Sequence, residues 1–135
     1  MEEIVVIAEK IKNLKAEKNA VILAHYYVSD EVQAIADYVG DSFYLSKVAK
    51  NIDAEIIVFC GVSFMAESAA IMNPNKKVLM PDLNADCAMA HMVDIAKIKE
   101  LRNRYEDLAV VCYINSTAEI KTYSDVCVTS ANAVK

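Results

Sequence analysis

Seven side chains in this sequence stand out for the chemistry they could do: His25, Tyr27, Cys87, Tyr113 and Asn115, each following a strand-like run, and Ser42 and Ser130, each at the start of a helix. An imidazole that titrates near neutral pH can pass protons, and a phenol two residues on can share that work. A serine at a helix start adds its hydroxyl to unpaired backbone N–H groups, a combination that holds carboxylates and phosphates. A thiolate ligates metal. Each residue also has a plainer role open to it. His25 could hydrogen-bond a neighbouring loop, Tyr27 could pack in the core, and Ser42 and Ser130 could be N-caps only. Tyr113 and Asn115 could be strand-end and turn residues. Tyr26 and His91, the latter beside Met89 and Met92, read as structural.

The elements that must position these groups follow from periodicity. Ile4, Ile7, Ala8, Ile11 and Leu14 recur at helical spacing, giving a first helix that ends near Asn19. Val21-Ile22-Leu23-Ala24 is a continuous apolar run of the kind that buried parallel strands show. A helix is expected from Asp30, with Gln33 placed for a capping box, Val32, Ile35, Ala36 and Val39 on its inner face, and Gly40 as its stop. Ser42 is the expected N-cap of the next helix. Strands are expected at Ile56–Cys60, Lys77–Met80 and Ala109–Ile114, with helices at Phe64–Met72 and Val93–Tyr105. Alternation of this kind implies an α/β fold, a layer sandwich with a parallel sheet. Ligands then bind beyond the carboxyl ends of the strands, where His25, Tyr27, Tyr113, Asn115 and Cys87 all fall.

The chain also repeats itself. Under a shift of 88 positions Val21-Ile22-Leu23 falls on Ala109-Val110-Val111, His25 on Tyr113 and Tyr27 on Asn115. Ser29 falls on Thr117, Glu31 on Glu119, Asp37 on Asp125 and Ser42 on Ser130. A first domain over 1–107 and the start of a second, incomplete repeat over 108–135 are therefore expected.

Composition narrows the function. A net charge of −5 with scattered Lys and Arg argues against nucleic acid or an anionic membrane as partner. No run of about 18 apolar residues is present, and the acidic start Met1-Glu2-Glu3 is unlike a secretory signal. The four cysteines form no C-x-x-C pair. Cys60, Cys112 and Cys127 read as small buried hydrophobes, while Cys87, in Asn84-Ala85-Asp86-Cys87-Ala88-Met89-Ala90, reads as a ligand or a reactive thiol. A reducing cytoplasm fits all four.

Together these segments resemble a known family. Ile22-Leu23-Ala24-His25-Tyr26-Tyr27, Ala36-Asp37-Tyr38-Val39-Gly40-Asp41-Ser42 and Cys60-Gly61-Val62-Ser63-Phe64-Met65-Ala66-Glu67 are similar to quinolinate synthase. So are Ala85-Asp86-Cys87-Ala88-Met89-Ala90, Tyr113-Ile114-Asn115-Ser116-Thr117-Ala118-Glu119 and Thr129-Ser130-Ala131-Asn132-Ala133-Val134. The resemblance implies three similar α/β domains about a pseudo-threefold axis and the condensation of iminoaspartate with dihydroxyacetone phosphate to quinolinate, on the route to NAD. It also implies a 4Fe–4S cluster held by one cysteine from each domain. Carried over, Cys87 matches the first cluster ligand, and His25 and Tyr27 match residues that bind substrate and assist proton transfer. Ser42 and Ser130 match hydroxyls on the substrates' anionic groups, and Tyr113 and Asn115 match residues lining the cavity. The other two cluster cysteines would lie beyond Lys135, in the same polypeptide or in a separate chain. The expectation is that this chain alone neither holds the cluster nor catalyses the condensation. A non-catalytic α/β module that binds a small dicarboxylate or phosphate is the alternative.

Overall fold

The structure, a computed structural model, describes residues 2–134. Its contacts divide the chain into two compact units, Met1–Asp86 and Cys87–Lys135. The expected boundary at 107/108 falls inside the second of these.

The first unit is built on β1 (Ala20–His25), whose residues Val21 to Ala24 are all buried. A strand covered on both faces and paired on both edges has to be apolar throughout, which is why its sequence does not alternate. Strand β1 pairs in parallel with β2 (Tyr38–Gly40) on one side and with β3 (Ile56–Cys60) on the other, and β3 pairs with β4 (Lys77–Leu79). The order β2-β1-β3-β4 makes an all-parallel α/β sheet. Helices α1 (Glu2–Glu17), α2 (Asp30–Ile35), α3 (Ser42–Asn51) and α4 (Ser63–Met72) alternate with the strands. Leu45 and Ala49 of α3 and Phe64, Met65 and Ala69 of α4 pack with Leu23, Ile57 and Phe59 as the core. Burial of each of the large ones contributes about 1.5–3 kcal/mol. The aliphatic face of α1 is less covered: Ile4, Ile7 and Leu14 are each about half exposed. Among the described residues no helix is long and apolar enough to cross a membrane.

The second unit contains a 3-10 turn (Ala88–His91), α5 (Ile95–Arg104), β5 (Val111–Tyr113), α6 (Ala118–Thr122) and β6 (Val126–Val128), with β5 and β6 paired in parallel. Its buried residues are Ala90 of the 3-10 turn, Ile98, Cys112, Ser116 and Ile120.

Three expectations about local structure are corrected. The helix from Asp30 does not run to Gly40. It ends at Ile35, and Tyr38–Gly40 is a strand. Asp37 forces this change. Its backbone N–H donates to Ile22 O, and its carboxylate accepts the Ile22 N–H at 2.8 Å, so the chain is captured into parallel pairing before the helix can continue. Gln33 makes no capping box; its amide donates to Tyr26 O and Val28 O at 3.2 and 2.9 Å and braces the turn after β1. Ser42 is not an N-cap. Asp41 takes that place, accepting the Tyr44 N–H at 2.7 Å, and Ser42 is the first helical residue.

Candidate functional site

The strand order places a crevice between β1 and β3. The chain leaves β1 for β2 on one side and then crosses to β3 on the other, and in parallel sheets ligands bind at such a reversal, beyond the carboxyl ends of the strands. His25 ends β1 there. Across from it β3 ends at Cys60, the strand partner of Ala24, followed by Gly61. A methyl group added at Gly61 would lie 3.5 Å from the His25 Cβ and 3.2 Å from the Phe59 ring, so glycine keeps this side of the crevice open. Helix α4 starts two residues later. The Ser63 hydroxyl donates to Asp86 Oδ1 at 3.0 Å and the Ser63 N–H donates to Ala85 O, which draws the loop after β4 onto the start of that helix.

His25, Tyr26 and Tyr27 form one cluster of rings. Tyr26 stacks on His25 with centroids 4.5 Å apart, and Tyr27 meets His25 edge-on at 4.6 Å and Tyr26 edge-on at 4.8 Å. Tyr27 is 83% exposed, so it is not a core residue, and Tyr26 is half exposed rather than a buried prop. The imidazole Nδ1 accepts the backbone N–H of Tyr27 at 3.2 Å. An accepting Nδ1 assigns the neutral tautomer with its proton on Nε2. Burial pushes the His25 pKa below its usual 6.5, partly opposed by the negative charge of Asp41, so the ring is neutral at pH 7. The first cause of the raised Tyr26 pKa is its side-chain hydrogen bond with Tyr27. At neutral pH this turn therefore offers an imidazole N–H and the protonated phenol of Tyr26, hydrogen-bonded to Tyr27.

Gly40 is the strand partner of His25 and stands two residues before Ser42. The Tyr44 ring lies directly over Gly40, where an added Cβ would be 2.2 Å from its Cδ1. Ser42 is half-buried in the first turn of α3, beside Asp41, whose carboxylate already occupies part of the cap.

The second unit repeats the strand pairing and the main backbone bonds of this construction under the shift of 88. Strand pairs Leu23–Tyr38, Ala24–Val39 and His25–Gly40 recur as Val111–Val126, Cys112–Cys127 and Tyr113–Val128. Asp125 accepts the Val110 N–H at 2.7 Å and returns its own N–H to Val110 O, as Asp37 does with Ile22. A cation from the preceding helix binds each aspartate, Lys15 to Asp37 at 2.7 Å and Arg102 to Asp125 at 2.8 Å. Ser29 and Thr117 precede α2 and α6 with the same backbone angles, φ −62° and ψ 155°. Tyr113 thus ends β5 half exposed, and Asn115 follows it in the turn. Thr129, not Ser130, takes the position equivalent to Asp41: its carbonyl accepts from the Asn132 and Ala133 N–H groups, and its own N–H donates to Asn132 Oδ1 at 2.6 Å. Ser130 is exposed in this turn.

Cys87 precedes the 3-10 turn in an extended conformation, half-buried, with its carbonyl accepting the Ala90 N–H. His91 closes that turn on the surface. Of the three cysteines expected to be buried, Cys112 is. Cys60 is half-buried, its thiol pushed up by burial, and Cys127 is exposed on β6. Among the described residues no three His, Cys, Asp or Glu side chains gather into a metal site. Residues whose part in the site sequence reasoning did not find are Gly61, Asp41 and the aspartates Asp37 and Asp125. The last pair carried a signal, since the shift of 88 superposes them.

A profile of the family described as quinolinate synthetase A protein matches residues 9–135. A quinolinate synthase from Fusobacterium nucleatum is 64% identical over 127 residues, 94% of this chain and 43% of the relative. Those from Dehalococcoides mccartyi and Caldicellulosiruptor bescii are 59% and 56% identical over 96% of this chain and, again, 43% of their own length. The chain therefore spans well under half the length of the curated relatives it matches. With a family profile covering nearly all of it, the chain belongs to the quinolinate synthetase A protein family.

Proposed function

We propose that this chain contributes the first domain, and the opening of the second, to a quinolinate synthase: a transferase that condenses iminoaspartate with dihydroxyacetone phosphate to quinolinate in NAD biosynthesis. The observation that carries the reading is the repeated strand-end turn in a chain of this family, with His25 and Tyr27 on the first copy and Tyr113 and Asn115 on the second. His25, neutral and with its proton on Nε2, donates to a substrate oxygen or nitrogen, and Tyr27 assists proton transfer beside it. Ser42 and Ser130 bind the substrates' anionic groups, and Tyr113 and Asn115 line the cavity. The domains are repeats of one α/β unit, a reading supported by the recurrence of the same hydrogen bonds after 88 residues, and the pseudo-threefold arrangement is what the family resemblance implies. The location proposed is the cytoplasm.

The residues present fit one ligand of a 4Fe–4S cluster. Cys87 is a half-buried thiol at the end of the loop that follows β4, and the described residues bring no second or third ligand to it. Such a cluster, with one iron left open, supplies a Lewis acid. The remaining cysteines come from domains outside these residues, in the same polypeptide or in a separate chain.

The test is made in the enzyme that contains these residues together with the remaining domains. His25→Ala and Tyr27→Phe should each lower kcat by 10-fold or more, in line with the roughly 10²–10⁴-fold typical of general acid–base groups. Cys87→Ser should abolish the cluster's absorbance. Full activity in His25→Ala would sink the assignment. The 135-residue chain alone should bind no stoichiometric iron and form no quinolinate. A binding-only module would instead titrate with malate or a phosphate ester while making no product in any context.

A further inference from the structure

The two repeats differ at one strand pair in a way the fold does not require. Ala24 on β1 lies beside Val39 on β2, whereas 88 residues later Cys112 on β5 lies beside Cys127 on β6. The scaffold therefore accepts an aliphatic pair at these positions, and the second copy holds two thiols. Register partners on neighbouring strands project to the same face of a sheet. Neighbouring strands run about 4.8 Å apart, inside the roughly 4.4–6.8 Å separation of Cα atoms that a disulfide spans. The two thiols differ in access. Cys112 is buried and donates to Tyr113 O at 3.3 Å, while Cys127 is exposed.

We propose that Cys112 and Cys127 are a reversible thiol–disulfide pair, a redox modification site set directly beneath the second copy of the strand-end turn. The oxidant is a low-molecular-weight disulfide such as oxidised glutathione. Exposed Cys127 loses its proton to solvent and attacks one sulfur of that disulfide, forming a mixed disulfide and expelling one small thiolate. Cys112 then loses its proton and attacks the Cys127 sulfur, closing the protein bridge and expelling the second thiolate. The two cysteines give up two protons and two electrons, and the small disulfide is reduced to two thiols. Burial first, and then the neighbouring Cys112, raise the Cys127 pKa, so the first step is slow at neutral pH and quickens as pH rises. A bridge between paired strands lies toward the short end of the allowed Cα separation, and strained bridges are the readily reduced ones. Closing it removes the Cys112–Tyr113 hydrogen bond, so oxidation reaches the residue that ends β5.

The experiment oxidises the reduced, folded chain with glutathione disulfide and maps its peptides. Trypsin cleaves after Arg104 and Lys121, so Cys112 and Cys127 leave on separate peptides, Tyr105–Lys121 and Thr122–Lys135. The expected product is those two peptides joined, lighter by two hydrogens, and parted again by dithiothreitol. Oxidation in denaturant should scramble the pairing, which separates proximity in the fold from chance. The double variant C112A/C127V, which copies the pair that the first repeat carries, should show no joined peptide. C112A alone should retain a lasting glutathione adduct on Cys127. A folded wild-type chain that keeps both thiols, keeps an unresolved adduct on Cys127, or bridges either cysteine to Cys60 or Cys87 overturns the proposal.

Discussion

Asp37 offers the sharpest test of how the site is held in place. Its carboxylate accepts the Ile22 N–H at 2.8 Å and binds Lys15 at 2.7 Å. Ile22 is only 4% exposed, so removing the acceptor leaves a buried donor with no replacement. A charge-assisted bond of this kind contributes about 1.5–3 kcal/mol, and a partly exposed ion pair adds roughly 0–1 kcal/mol. Asp37→Ala should therefore destabilise the first unit by about 2–4 kcal/mol, a large share of a stability on the order of 5–15 kcal/mol. Asp37→Asn keeps an oxygen for the amide and loses only the charge, so it should cost about half as much. Lys15→Ala should cost roughly 0–1 kcal/mol. Urea denaturation measures the totals, and hydrogen exchange at the Ile22 amide identifies the bond, since its protection should collapse in Asp37→Ala and survive in Lys15→Ala. The reasoning fails if Asp37→Ala stays within about 0.5 kcal/mol of the parent. It also fails if Lys15→Ala is as damaging as Asp37→Ala, because the ion pair rather than the amide bond would then hold the register.

The remaining predictions concern titration and close packing. His25 should titrate below 6.5, read from its ring proton shifts, and Asp41→Asn should lower it further by removing the charge that opposes the burial effect; a value above 6.5 would contradict the buried, neutral ring. Gly40→Ala places a Cβ 2.2 Å from the Tyr44 ring and should cost about 1–3 kcal/mol. In a Tyr44→Ala background that cost should shrink, and a double-mutant cycle with no coupling would show that the ring is not the obstacle. Asp125 is held below its ordinary 3.8, first by the Val110 N–H and then by Arg102. Its folded pKa is depressed, so its contribution is present above the unfolded value and is lost as pH falls through the folded one. Asp125→Asn should flatten the acid limb of the stability profile, and an unchanged limb would remove Asp125 from the account.

Much of this fold was legible from periodicity because burial on both faces writes a plain signal. Val21–Ala24 and Ile56–Cys60 are continuous apolar runs, and both are central strands. The short strands Tyr38–Gly40 and Val126–Val128 were not legible. Tyr38 and Val39 sit at spacings that extend the apolar face of the preceding helix, and neither strand lies in a longer apolar run such as the one that marked Val111–Tyr113. What ends that helix is a bond to Ile22, 15 residues away, which no local pattern contains. The caps were misread by one residue for a related reason: Asp41 and Ser42 are both good cap types, and only the backbone angle at Asp41 decides between them. Cys127, flanked by valines, looked buried because an apolar run does not say which of its side chains the fold covers: Cys112 on β5 is buried, and its strand partner Cys127 is exposed.

The proposed site residues were chosen for their placement at strand ends and helix starts, and the internal repeat sets the two units side by side position for position. Backbone bonds from Ile22 and Val110, from Tyr26 to Gly40 and from Ile114 to Val128 fix the same turn twice. With the scaffold duplicated, the residue at the strand end can change without cost to the fold. In the first copy that residue is histidine, and it does something its counterpart cannot. Its Nδ1 accepts the backbone N–H two residues on, which locks the neutral ring with its proton on Nε2 and faces a donor outward. Tyr113 has no acceptor within the ring to turn back on its own backbone, so its hydroxyl keeps both donor and acceptor roles. The first turn is thus a fixed donor and the second an adaptable one. Nitrogen shifts of His25 offer the check: the Nε2–H tautomer should dominate above its pKa, and dominance of the Nδ1–H form would mean that the turn does not orient the ring.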